Sequence, residues 1–413
     1  MASPIAVVGY ACVGVGLGTV TGLVPGLHVN SVAFVLVGVA PEVDGPAAAV
    51  AAAILAAGVV HTFLSIVPGL VLGVPDAATA PGALPGHRLV LAGRGREAIR
   101  LSALGSGIAL AASAVVALPL SRVVAARQEW LLAALPFLLA AIAGLLILAE
   151  PTHRGKAGGA VCLAVATGLG LLTLDLPASG ALSPDGAASM LAPIFGGLFG
   201  APILLDALDA RGEIPPQDGT DLGLPPQEVA RAALSGVAGG TLVGYLPGVS
   251  AGVAAVLALG GAGGSGPAGR GSDRAYVVAT SGADTATAVF AVASLAVLGA
   301  PRSGVTVAVA ELGDSTGAAS AVGMLLVVVL AAGLGIVLLV TVGDRYLSVV
   351  RRLPRRPLVG GVVGLLLALS VGFAGILGGA VFCLAAVVGL LPPRVGARRV
   401  HLMGVLIGPV ALG

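Results

Sequence analysis

Charge is what this chain has least of. Asp, Glu, Lys and Arg make up 10% of its 413 residues, against roughly 25% in ordinary soluble domains. A surface that poor in charge is not an aqueous one. Cysteine is also scarce: Cys12, Cys162 and Cys383 are far apart in apolar runs, and none has a CxxC partner. They are read as lipid- or core-facing and name no redox compartment. No His/Cys set has metal-ligand spacing, and no nucleophile-elbow signature appears. No basic tract with interleaved aromatics suggests nucleic acid. The Gly-rich stretch at 260–275 lacks the Lys-Ser/Thr of a phosphate loop and reads as linker. The start, Met-Ala-Ser-Pro, lacks a positive n-region, so the first helix is expected to stay in the mature protein.

What is present is apolar residues, at 57%, with a mean hydropathy of +1.07. Apolar runs long enough to cross a bilayer recur from end to end, so the chain reads as polytopic. The expected fold is all-α, with about 10–12 transmembrane segments. The first runs lie at 4–20, 27–40 and 46–66, with Pro68-Gly69 following the last. Plain spans are expected near 101–120, 130–149, 158–174 and 187–205, with Trp130 at an interface. A polar stretch at 206–231 is the natural seam. Second-half spans are expected at 232–260, 276–298 and 317–342, with two more runs between 358 and 391 and a last one after Arg398-Arg399. This divides the chain into a first membrane repeat with extra helices (1–205), a linker (206–231) and a second repeat with C-terminal helices (232–413).

Two stretches are versions of one another: Gly22-Leu-Val-Pro-Gly-Leu-His-Val-Asn30 and Gly244-Tyr-Leu-Pro-Gly-Val-Ser-Ala-Gly252. Pro removes a backbone donor and clashes with the preceding turn, and Gly loosens the chain. A helix meeting Pro25-Gly26 or Pro247-Gly248 should stop and restart. Backbone groups freed at membrane depth are tolerable only inside protein or beside a wet cavity. Matched breaks in two halves point to a transporter's central site. Gly73-Val-Pro-Asp-Ala-Ala78 also falls against Gly299-Ala-Pro-Arg-Ser-Gly304 at nearly the same spacing. Loops at 86–100, 150–157 and 343–357 carry the arginines and are expected inside, with the seam. The span at 101–120 then runs outward and its counterpart at 317–342 inward, an inverted repeat.

The set Gly22-Leu-Val-Pro-Gly-Leu27, Gly73-Val-Pro-Asp-Ala-Ala-Thr-Ala80, Gly93-Arg-Gly-Arg-Glu-Ala98, Ser102-Ala-Leu-Gly-Ser106 and Gly244-Tyr-Leu-Pro-Gly248 resembles the TctA type, the large membrane permease subunit of tripartite tricarboxylate transporters. The resemblance implies a cation-driven carrier, often sodium-coupled, for small carboxylates. It also implies a periplasmic or extracellular binding protein and a small membrane subunit as partners. The chain departs from the family at His28 and Asn30, and at Asp76, where Gly is usual. Pro247-Gly-Val-Ser-Ala-Gly252 also resembles a motif of proteins that recycle polyprenyl-phosphate carriers.

Restarted helix ends offer free N–H groups to an anion. The expected substrate residues are Gly22, Pro25, Gly26, His28, Asn30, Gly244, Pro247, Gly248, Ser250 and Arg302. Arg302 has the planar fork for a carboxylate, and Asn30 or Ser250 could instead only cap a helix. The expected ion-coupling residues are Asp76, Ser281, Asp284, Thr285, Thr287 and His61, because charges at membrane depth are expensive and usually functional. Asp76 and Arg302 have snorkelling or a structural bridge as their alternative, and His28 and His61 plain packing. The function expected is a secondary active transporter of a small organic anion in the cell membrane, coupled to sodium or protons, and not an enzyme. No cofactor is expected beyond a sodium ion. The bilayer and a second copy of the chain complete the expected partners. A polyprenyl-phosphate carrier, an intramembrane enzyme using Asp284 with a histidine, and a non-transporting scaffold are the alternatives.

Overall fold

Long apolar runs without water have one cheap way to satisfy their backbones, the α-helix. The computed structural model describes residues 3–25, 27, 29, 32, 33, 36, 45–73, 83–182, 190–209, 214–217, 219, 221–246, 249, 253, 254, 270–312 and 318–412. It is helical, with no strand among them. The helices are α1 (Pro4–Gly22), α2 (Ala47–Leu72), α3 (Ala83–Leu91), α4 (Gly95–Ala125), α5 (Gln128–Leu148), α6 (His153–Thr173), α7 (Leu191–Phe195), α8 (Ala201–Asp209), α9 (Pro226–Tyr245), α10 (Arg270–Leu298), α11 (Gly304–Glu311), α12 (Ala318–Val350), α13 (Arg355–Gly389), α14 (Leu391–Val395) and α15 (Gly404–Leu412). Eight described helices are long and apolar enough to cross a membrane. The chain is an all-α multi-pass membrane protein.

Several expected boundaries move. Pro68 does not end α2, which continues to Leu72 and is capped by Gly73. The two runs expected between 358 and 391 are present as two helical pieces joined at Gly375, whose φ of 70° takes the chain out of helix. The plain span expected at 187–205 is instead α7, a π turn over Gly196–Gly200, and α8. Glycine lets this stretch lie against α13: a Cβ on Gly197 would stand 2.4 Å from the Phe382 carbonyl oxygen. Trp130 is exposed at the start of α5, as an interfacial aromatic should be.

The chain runs twice through the same order of helix lengths. α1, α2, α3 and α4 have 19, 26, 9 and 31 residues; α9, α10, α11 and α12 have 20, 29, 8 and 33. α2 and α10 both close on a left-handed glycine followed by X-Pro: Gly73 has φ 72° and Gly299 φ 63°.

Helix directions follow from who meets whom. Along α1, Gly14, Gly18 and Gly22 meet Ala53, Ala57 and His61 of α2 in turn, so the two run parallel. Gly236, Gly240 and Gly244 of α9 likewise meet Ala279, Ala283 and Phe290 of α10. α4 runs parallel to α10, since Glu97 pairs with Arg274 and Ser102 with Ser281. α12 runs parallel to α2, with Gly335 against Phe63 and Gly343 against Val67. It runs antiparallel to α4, with Arg100 on Asp344 and Gly107 on Ile336. One trio, α1, α2 and α12, therefore points opposite to the other, α9, α10 and α4. Each trio borrows its third helix from the other half of the chain.

A second cluster packs beside these trios, built from α5–α7, the π turn, the second piece of α13 and the C-terminal helices. The polar loops gather on one face. Gln217 of the seam accepts from the Gly95 N–H at 2.6 Å and donates to the Val90 carbonyl. Glu97 is fully buried and takes Arg274 at 2.5 Å, Arg94 at 3.0 Å and the Gly223 N–H at 2.6 Å. Arg88 pairs with Asp273 nearby. A buried carboxylate with this many donors is satisfied, and removing one partner is the costly change.

Glu150 sits outside the spans and is held by the Arg398 guanidinium at 2.9 Å, the Arg398 N–H at 3.1 Å and His401 Nε2 at 2.8 Å. Burial pushes its carboxyl up, but the donors from Arg398 and His401 outweigh this and hold it below the ordinary 4.5. Burial pushes His401 below its ordinary 6.5, against the pull of Glu150. Both groups bind fewer protons folded than unfolded, so both stabilise at neutral pH. That contribution should fade as pH falls below 6.5 for His401 and below 4.5 for Glu150. Thermal melts between pH 8 and 4 should show falling stability, with a shallower fall below pH 4.5 in Glu150→Gln, which has no carboxylate left to protonate. Melts whose pH dependence is the same in both proteins would contradict this.

Candidate functional site

The first break begins where α1 meets α2. In lipid, helix association depends on close packing rather than on apolar burial, and small residues permit it. A Cβ on Gly14 would lie 2.2 Å from the Ala53 carbonyl oxygen, on Gly18 2.4 Å from that of Ala57, and on Gly22 2.7 Å from that of His61. α1 stops at Gly22, and Pro25 is buried in a turn that brings no amide proton of its own. Val29, Val32, Ala33 and Leu36 are helical again.

The second break repeats the first. A Cβ on Gly236 would lie 2.3 Å from the Ala279 carbonyl oxygen, on Gly240 2.3 Å from that of Ala283, and on Gly244 2.5 Å from Phe290 Cβ. α9 stops at Tyr245. Leu246 turns extended, with φ −102° and ψ 116°, as a residue ahead of proline must. Val253 and Ala254 are helical. The Tyr245 hydroxyl is tied to Ser121 of α4 at 2.6 Å, which anchors this end to the neighbouring helix.

One side chain at the same register attends each break. His61, fully buried, lies 3.0 Å from Thr21 Oγ1 through Nδ1 and donates to the Leu27 carbonyl, 3.1 Å from Nε2. It therefore bridges the last turn of α1 to the chain beyond Pro25. Thr287 stands as far beyond Ala279 as His61 stands beyond Ala53. Its hydroxyl lies 2.8 Å from the Ala283 carbonyl and 3.3 Å from that of Gly240 on α9. Both lie in the middle third of their helices.

Between α4 and α10 runs a polar seam. Ser281 Oγ donates to Ser102 Oγ at 2.8 Å, and Ser106 Oγ donates to the Ser281 carbonyl at 3.4 Å. Asp284 and Thr285 follow Ser281 one turn on along the same buried face of α10. Arg302 leads into α11, whose start is fixed by a Ser303–Thr306 capping box. Its backbone N–H donates to Thr306 Oγ1 at 2.9 Å, and its Nε is buried with no partner among the described residues. Val305 lies against Gly58, one turn from His61, so the start of α11 sits beside the middle of α2.

The structure thus places Gly22, Pro25 and His61 together at one break, and Gly244 and Thr287 at the other. Ser281, Asp284 and Thr285 lie on the seam, and Arg302 at the edge of α2. Gly26, His28, Asn30, Asp76, Pro247, Gly248 and Ser250 lie outside the described residues. The glycine ladders beyond Gly22 and Gly244, and the Tyr245–Ser121 link, are absent from the sequence-based site. The ladders had a readable signal, a glycine at every fourth position leading into both Pro-Gly pairs.

Comparison with known proteins agrees in class. The family model described as "Tripartite tricarboxylate transporter TctA family" matches residues 8–404. An uncharacterized protein of Methanocaldococcus jannaschii is 35% identical over 111 residues, which are 26% of this chain and 27% of that protein. The chain thus matches about a quarter of that relative's length. No solved structure matches.

Proposed function

The chain belongs to the tripartite tricarboxylate transporter TctA family, and from that premise we propose a secondary active permease that moves a small organic anion between its two broken helices. The observation that carries this reading is the pair of breaks. Each ends a helix held in backbone contact with its partner, and the two helices run in opposite directions. Two inverted copies of a four-helix unit account for the repeated lengths, glycine ladders and left-handed caps. They also account for the antiparallel course of α4 and α12.

In this reading the anion is taken at the two breaks, where a restarting helix offers N–H groups without intrahelical partners. Arg302, with its buried Nε, adds a planar donor. Asp284 and the hydroxyls of Ser281, Thr285 and Thr287 take the sodium ion or proton that drives the cycle. His61 holds the first break in shape. The membrane is the cell membrane. A binding protein delivers the substrate outside, and a small membrane subunit completes the assembly.

Proteoliposome uptake of labelled di- and tricarboxylates under an inward sodium or proton gradient, with binding protein and small subunit supplied, is the test. Gradient-dependent accumulation is expected. Arg302→Ala should raise the half-saturating concentration at least ~10-fold, the loss of about 1.4 kcal/mol of charge-assisted hydrogen bonding. No uptake from a broad acid panel under either gradient would sink the reading.

A further inference from the structure

The turn between α12 and α13 walls a cavity of about 610 Å³ on the face where the polar loops gather. Its sides are mostly apolar: Leu72 from the end of α2, Leu204 from α8 and Leu358 from α13 line it. Its polar edge is His87, Arg351 and Arg352. His87 Nδ1 donates to the Leu70 carbonyl at 2.8 Å, which fixes the ring against α2. Arg351 and Arg352 are exposed, and neither has an ion pair among the described residues.

The turn joins two membrane-crossing helices, so it lies where hydrocarbon gives way to water. Two adjacent guanidinium groups there attract an anion, and a guanidinium matches a phosphate in geometry as well as charge. A small hydrophilic anion would satisfy the arginines but leave the leucine walls wet. A neutral apolar ligand would do the reverse. An amphiphile with an acyl chain and an anionic head satisfies both ends, and a volume of this size accommodates part of a chain. Basic pockets between membrane helices recognise lipid headgroups by this logic.

We propose that this cavity binds an anionic phospholipid of the surrounding leaflet, its headgroup phosphate on Arg351 and Arg352 and part of an acyl chain against Leu72, Leu204 and Leu358. The site is separate from the helix breaks and does not rest on the transport reading.

The experiment uses the full chain, purified in detergent and stripped of lipid, titrated with phosphatidylglycerol, phosphatidylcholine or inorganic phosphate. Bound lipid is counted by native mass spectrometry and stabilisation by thermal melts. Phosphatidylglycerol is expected to bind at least ~10-fold more tightly than phosphatidylcholine, and R351Q/R352Q to lose most of that preference. Leu358→Trp, which fills the apolar side and leaves both arginines, should lower retention of phosphatidylglycerol. Equal binding of the two lipids, or a preference untouched by R351Q/R352Q, overturns the proposal. So does full competition by inorganic phosphate, which would make this a free-anion site. Unchanged retention in Leu358→Trp would reduce the effect to surface attraction and overturns it as well.

Discussion

Gly240→Leu is expected to prevent α9 from seating on α10 and so to abolish both the folded, monodisperse protein and its uptake. The Cβ alone would stand 2.3 Å from the Ala283 carbonyl oxygen and 2.8 Å from the Ala286 Cβ. Neither can swing aside, because one is backbone and the other is fixed to it. The helices must part by about 1 Å or more to restore ordinary contact. Parting costs the dispersion contacts along the whole interface, which in lipid are most of what holds two helices together. Overpacking of this kind costs about 1–3 kcal/mol where side chains can yield, and more is expected here, where neither contact can yield. Gly18→Leu should behave alike, with 2.4 Å to the Ala57 carbonyl oxygen. Gly333→Leu is the internal control, since nothing lies within 4 Å of its Cβ position; its stability should change by less than about 0.5 kcal/mol. Size-exclusion profiles and detergent melts of the three variants decide the matter. Gly240→Leu as stable as Gly333→Leu would mean that α9 and α10 are not in backbone contact.

Asp284→Asn is expected to leave the melting temperature unchanged or raised while uptake driven by the gradient falls roughly 100-fold, about 2.7 kcal/mol in the limiting step. Asp284 lies on a buried face of α10, midway along a helix that crosses the membrane. A carboxylate at that depth is expensive, and such residues commonly serve ion or proton traffic. Asparagine keeps the shape and removes the charge. The readout that separates a coupling role from a packing role is gradient dependence. Residual uptake in the variant should no longer respond to sodium or proton gradients, whereas a packing role would lower uptake and stability together. Full uptake with unaltered gradient dependence would remove Asp284 from the mechanism.

How much of this was readable from residues alone differs by feature. The helix break at Pro25 was, because proline's missing donor and fixed ring act locally wherever the chain goes. The end of α9 before Pro247 was readable for the same reason. Pro68 carries the same chemistry and yet sits inside α2. α2 is the most enclosed of the eight described spans, with 83% of its most apolar window buried, and its neighbours hold it in helix. Two runs between 358 and 391 were readable, but not that Gly375 is their joint, because a positive φ is permitted by glycine and decided by packing, and a Cβ there would lie 2.6 Å from the Ser179 carbonyl oxygen. His61 was visible as a polar residue in an apolar run. That it ties Thr21 to Leu27 was not, since those contacts span 40 and 34 residues of chain.

Composition and local stereochemistry by themselves determined that this is a helical membrane protein, with two matched interruptions and a family to which its motifs belong. Only the tertiary structure decided that α4 joins α9 and α10 while α12 joins α1 and α2. The physical reason is that helix formation is settled within a few residues of each peptide group. The choice of partner rests on which surfaces let two backbones touch, and that is a property of pairs of helices far apart in the chain.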